Sequence, residues 1–267
     1  MIVTTPAALV AAIKSAAAGA IITLSPGAWQ DISLSKVAAP NITIDATAAK
    51  IPSLKFTSVS GITVKGGTYG PGDPTRPRAI VVDFSNHVTI NGATCIDVSR
   101  VCLVLSRSQF VQALNTTVLY PAGDGIDIAG STDVVIDNTH CTVGPYTGNP
   151  LTDQHRDCVQ VWTIFKTAAT PTYTAQRITI TKTYASGGTQ GVDAYFHDIT
   201  QAGDHITIDG TTGNITQPSC ATLLNASYSR MTNNHCTTAA GAKYTVKVSV
   251  IGGTNNVAFG NVNGVRP

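Results

Sequence analysis

The stretch Thr152-Asp-Gln-His-Arg-Asp-Cys-Val-Gln-Val-Trp162 gathers two aspartates, a histidine, an arginine, a glutamine and a tryptophan, in a chain where only 12% of residues are Asp, Glu, Lys or Arg. Carboxyl groups at short range support several chemistries. A protonated and an ionised carboxyl together hydrolyse a glycosidic bond. Clustered ionised carboxylates hold Ca2+, which favours oxygen ligands. A cation that neutralises a uronate carboxylate lets a base take the adjacent C5 proton, and β-elimination follows. Aromatic rings beside such groups suit pyranoses, whose hydroxyl edges hydrogen-bond to Asp and Gln.

The elements that must position these residues announce themselves by repetition. An apolar-Thr-apolar core recurs at Asn41–Asp45, Gly61–Lys65, His87–Asn91, Arg177–Thr181 and His205–Asp209, with variants at Asp133–Asp137, Gln109–Ala113, Arg230–Asn234 and Asn256–Gly260. Most starts lie roughly 20–28 residues apart, the beat of a solenoid. The 44-residue step from Asp133 to Arg177 reads as two periods. A second strand family, Ile80–Val82, Leu103–Leu105, Ile126–Ile128, Val159–Val161, Val192–Ala194 and Val246–Val248, keeps the same rhythm. Abundant Thr, Ile, Val, Gly and Asn favour strands and turns over helices. The expected fold is all-β: a right-handed parallel β-helix solenoid with a short N-terminal capping α-helix. It forms a single domain over residues 1–267, of which 1–20 are the cap. Thr5-Pro6 supplies the N-cap and first helical residue. Leu9, Val10, Ile13 and Ala17 form the apolar face, and Gly19 ends the helix.

Strand alternation then sorts the chemistry-bearing residues. Aligning the second strand family points Val81, Val104, Asp127, Gln160, Asp193 and Lys247 outward in one column. Asp83, Ser106, Ala129, Trp162 and Tyr195 form the next column, and Asp124, Asp157 and Gln190 the one before it. Excursions around Thr142–Arg156 and Lys166–Gln176 would wall a groove over this patch. Candidate catalytic residues are Arg156 as neutraliser, His155 or Lys166 as base, and Asp127 and Asp157 as acid–base carboxyls. Candidate substrate contacts are Asp124, Gln160, Trp162, Asp193, Tyr195, Tyr146 and His197. If Ca2+ takes part, Asp127, Asp157 and Asp193 are its ligands. Asp73 and Asp209 read as corner residues that bond backbone amides, and His87 and His205 as structural.

The segment Thr4–Trp29, with its helix, its strand ending in Pro-Gly and its aromatic turn, resembles the opening of pectate-lyase-like β-helix proteins, especially the alginate lyase and chondroitin lyase branch. That resemblance implies a polysaccharide lyase acting on an acidic glycan. Asp153-x-His155-x-Asp157 is similar to the motif of mannuronan C5-epimerases on this fold, with Gln154 where that family has Pro. The paired aspartates and Arg-x-Lys of polygalacturonases are missing, and Arg76-Pro77-Arg78 only partly matches the arginine motif of pectate lyases. A glycoside hydrolase, an epimerase, and a non-catalytic glycan-binding or phage-tail-type module remain alternatives.

Charge and hydropathy narrow the partners. A formal charge of +2 without long basic runs speaks against nucleic acid. No apolar run reaches the roughly 20 residues that span a membrane. The expected partner is an acidic polysaccharide; a monomer is favoured by the short polar C-terminus, a trimer if the chain is tail-like. No signal peptide is visible; the expected location is extracellular, periplasmic or virion-associated. The six cysteines fall at small inward positions of the repeat, so mostly free thiols are expected. Cys95–Cys102 and Cys220–Cys236 are the pairs close enough to consider.

Overall fold

The computed structural model describes residues 1–70, 77–143, 156–164, 171–196 and 203–263. Strands stack in parallel along the chain, each coil laid on the one before. Ile62 pairs with Val88, Val88 with Val111, Val111 with Val134, Val134 with Ile178, and Ile178 with Ile206. All six are buried. A matching ladder, Val64, Ile90, Ala113, Ile136, Ile180 and Ile208, runs beside it two residues on. β-Branched side chains repeated at one position of each coil fill a continuous apolar core, because each strand rests about 4.8 Å above its predecessor.

The 44-residue step is therefore one coil and not two: Val134 lies directly beside Ile178. Repeat spacing alone does not separate one long coil from two short ones.

Corners are held by ladders of like side chains. Asn115 donates to Asn91 at 2.9 Å and Asn138 to Asn115 at 2.7 Å. Inside another corner, Ser85, Ser108 and Ser131 are buried, and each hydroxyl accepts the backbone N–H of the preceding coil's corner, as Ser108 Oγ does from Ser85 at 3.0 Å. Asp209 accepts from the side chains of Thr232 and Asn233 and not from the backbone amides expected; Asp73 lies outside the described residues.

The N-terminal helix Pro6–Ser15 begins where expected. Thr5 accepts from the Ala8 N–H at 3.1 Å, and Leu9, Ala12 and Ile13 are buried over the first coil. The helix stops at Ser15, ahead of Gly19. The last coil has no such cover among the described residues: Ile251, Val257 and Phe259 are exposed, so this end is less polar than its sequence suggests.

The cysteines are not free. Cys95–Cys102, Cys141–Cys158 and Cys220–Cys236 are disulfides with Cα separations of 5.6–5.8 Å. Distance along one column rules out bonding two coils apart, but two columns meet across a corner. Cys95, Val118 and Cys141 stack on one side of it, and Cys102, Gly125 and Cys158 on the other. A bond across that corner needs no displacement of the ladder.

Candidate active site

The register places the central polar columns side by side. Val104 pairs with Asp127, Asp127 with Gln160, Gln160 with Asp193, and Asp193 with Thr222. Asp157 pairs with Gln190, and Ala129 with Trp162. Lys247 does not continue the Asp127 column. It pairs with Ser219, and Ser249 stands beside Thr222. The coil Ser219–Leu224 occupies the rung between, and a register irregularity follows Ser219.

This column carries charge where neighbouring coils carry Val81 and Val104. The strands beneath approach closely. A Cβ on Gly125 would sit 2.5 Å from the Cys158 carbonyl oxygen, and one on Gly191 would collide with that of Cys220. Only glycine lets these rungs stack beneath the carboxylates.

Four aspartates converge there. Asp124 accepts the Asp157 backbone N–H at 2.8 Å, and Asp157 accepts the Gln160 side-chain amide at 3.0 Å. Asp193 accepts from Ser219, whose hydroxyl lies 2.8 Å from that of Thr222. Asp127 lies close enough for its charge to act on Asp124, and Asp193 close enough to act on Asp157. Burial drives the pKa of Asp124 up to about 8, helped by the charge of Asp127. Burial likewise raises Asp127 to about 6, with Arg78 and Arg100 pulling it back. Asp157 is raised well above the usual range by complete burial and by Asp193, Asp124 and Asp127. Like charges this close cannot all ionise, so the cluster stores protons at neutral pH. One oxygen of Asp127 and one of Asp157 are buried without a hydrogen-bond partner among the described residues.

Asp124 and Asp127 are half-buried, whereas Asp157 and Asp193 are buried in the floor. Gln160 is half-buried between them. Trp162 and Tyr195 are 36% and 38% exposed, so neither ring is packed away. Arg156 is buried, 6% exposed. His155, Lys166, Tyr146 and His197 lie outside the described residues, as does most of the Thr142–Arg156 excursion. The other excursion leaves from an antiparallel bridge between Ile164 and Tyr173.

Two groups were not legible as site residues. Arg78 and Arg100 are exposed, and their charges reach Asp127. Arg78 pairs with Val101, on the rung before Asp124. The pairing of rungs, not their spacing in sequence, brings these cations to the carboxylates. Among the described residues no group of three or more Asp, Glu, His or Cys is arranged to hold a metal ion.

No family model matches the chain, and no curated protein matches it by sequence. Solved structures do resemble it. The surface adhesin PfbA of Streptococcus pneumoniae superposes with a TM-score of 0.58 at 12% identity over 93% of this chain, which spans 61% of that adhesin chain. An endo-xylogalacturonan hydrolase from Aspergillus tubingensis gives 0.52 at 12% identity, covering 97% of this chain and 92% of that one. A polygalacturonase from Erwinia carotovora ssp. carotovora gives 0.50 at 14% identity, with the same coverage of 97% and 92%. At these identities the likeness is one of fold. The chain is a right-handed parallel β-helix, as the repeats led us to expect.

Proposed function

We propose that this protein hydrolyses glycosidic bonds in an acidic polysaccharide, over the Asp127–Gln160–Asp193 column. The observation that carries the reading is the pair of half-buried carboxyls, Asp124 and Asp127, standing two rungs from Asp193. Two strand spacings separate Asp127 and Asp193 by about 9.6 Å. That is close to the roughly 6.5–9.5 Å between acid and base in inverting glycosidases and well beyond the roughly 5–5.5 Å of retaining ones.

In this reading the Asp124–Asp127 pair holds one proton between about pH 6 and 8. Asp127 delivers it to the glycosidic oxygen as the bond to the anomeric carbon breaks. Asp193 takes a proton from the water that attacks the opposite face of that carbon, and the product has inverted configuration. Gln160 orients substrate or water between the two, and Trp162 and Tyr195 stack against sugar rings. Arg78 and Arg100 favour a substrate bearing carboxylates. The disulfides fit an oxidising location outside the cytoplasm.

The test is incubation with uronate-containing polysaccharides, following reducing ends and the ultraviolet absorbance of unsaturated uronate. Hydrolysis yields reducing ends without absorbance, and Asp127→Asn abolishes them. Absorbance rising with cleavage would replace hydrolysis by the β-elimination that the N-terminal resemblance suggests. Neither signal across the panel would leave a binding module.

A further inference from the structure

A different face of the same coils carries a groove of about 600 Å³. Its floor is the outward column that runs Thr63, Thr89, Gln112, Val135 and Thr179. Its wall is the adjoining corner, where His87, Phe110, Asp133 and Arg177 follow one another rung by rung. All four adopt positive φ, between 50° and 55°, and three of them are neither Asn nor Asp nor Gly. This conformation is uncommon for such side chains.

We propose that this groove binds a neutral, pyranose-based glycan chain, separately from the carboxylate cluster. The wall presents a ring face: Phe110 is 47% exposed and stacks on His87 at 4.9 Å between centroids, 27° from parallel. An exposed, rigidly held ring of this kind suits the apolar face of a sugar. The floor presents hydroxyl and amide groups that both donate and accept, with Thr89 donating to Gln112 at 3.4 Å. Charge is cancelled within the groove, since Arg177 forks onto Asp133 at 2.7 and 2.8 Å. That neutrality selects against the uronate chain expected across the protein. The rungs advance by about 4.8 Å, near the length of one pyranose unit in an extended chain, so successive sugars would meet equivalent floor positions. The two faces together would hold a polymer with acidic and neutral regions.

The experiment is calorimetric titration of the whole protein with neutral hexasaccharides of glucose, xylose, mannose and galactose. At least one is expected to bind, and Phe110→Ala should weaken it about fivefold to tenfold. Asp127→Asn should bind it as the wild type does, whether or not the protein cleaves acidic polysaccharides, so this result stands apart from the hydrolase reading. Thermal melting checks that Phe110→Ala is folded, as expected for an exposed side chain. Binding by none of the four, binding indifferent to Phe110→Ala, or binding lost in Asp127→Asn would each overturn the proposal. So would self-association of the wild type that Phe110→Ala dissolves without any glycan effect, which would make the face an interface between copies.

Discussion

Two faces of one solenoid do opposite things with the same geometry. On one, the outward column runs from Val104 through Asp127, Gln160 and Asp193 to Thr222. On the other it runs from Thr63 through Thr89, Gln112 and Val135 to Thr179. Stacking at about 4.8 Å multiplies whatever a column carries. Hydroxyls and amides so repeated make a neutral surface that both donates and accepts hydrogen bonds. Carboxyls so repeated repel one another, resist ionisation and store protons. The first arrangement suits holding a ligand; the second suits proton transfer, and it costs stability wherever the pH demands charge.

The largest effect that would break this contrast is on turnover. Asp127→Asn keeps the shape and removes the proton carrier, so cleavage of acidic polysaccharide should fall by about 10²- to 10⁴-fold with the melting temperature maintained. Unchanged turnover would mean that the carboxylate face is no more catalytic than the threonine face. Next in size is the Cys141–Cys158 bond, which pins Asp157 to the corner. Replacing both cysteines by alanine should cost about 3 kcal/mol for a loop of this length, read by denaturant unfolding. The threonine face, whose outward column is not anchored next to this bond, should lose less ligand affinity than the carboxylate face loses activity.

Proton storage sharpens the comparison further. Folded Asp124 binds its proton more tightly than the unfolded residue, with a pKa of about 8 against 3.8. Its contribution to stability is therefore full below the unfolded value and declines as pH rises toward about 8. Melting temperature should fall across that window, and Asp124→Asn should flatten the fall, whereas Thr89→Val should leave its slope unchanged. Activity should fall as pH rises past about 8, where the Asp124–Asp127 pair, titrating jointly, gives up its last proton. The smallest effect is expected at Trp162. Trp162→Ala should raise KM for polymer roughly fivefold with kcat little changed, because an exposed ring contributes stacking and not chemistry.

Much of this was legible in the chain. Apolar-Thr-apolar repeats declared coils, and counting from the inward residues placed Asp127, Gln160 and Asp193 in one column before any coordinates. What misled the counting was irregular spacing. Spacing puts Lys247 in the Asp127 column, whereas the coil Ser219–Leu224 stands between, and spacing divides the 44-residue step into two coils, whereas it is one. Val134 and Ile178 stand on adjacent rungs although 44 residues separate their repeats, so length stops measuring height. The cysteines misled for a related reason: their stacking along columns was visible, but the meeting of two columns across a corner was not.

The sequence by itself determined the solenoid, the capping helix and the outward polar column, since these follow from periodicities of side chains along the chain. Only the tertiary structure decided which cations and carboxyls share a field. Arg78, Arg100, Asp124, Asp127, Asp157 and Asp193 come from successive coils, and their protonation depends on burial and on distances between rungs. Electrostatic coupling acts through space, and the order of residues along a chain does not contain it until the coils are stacked.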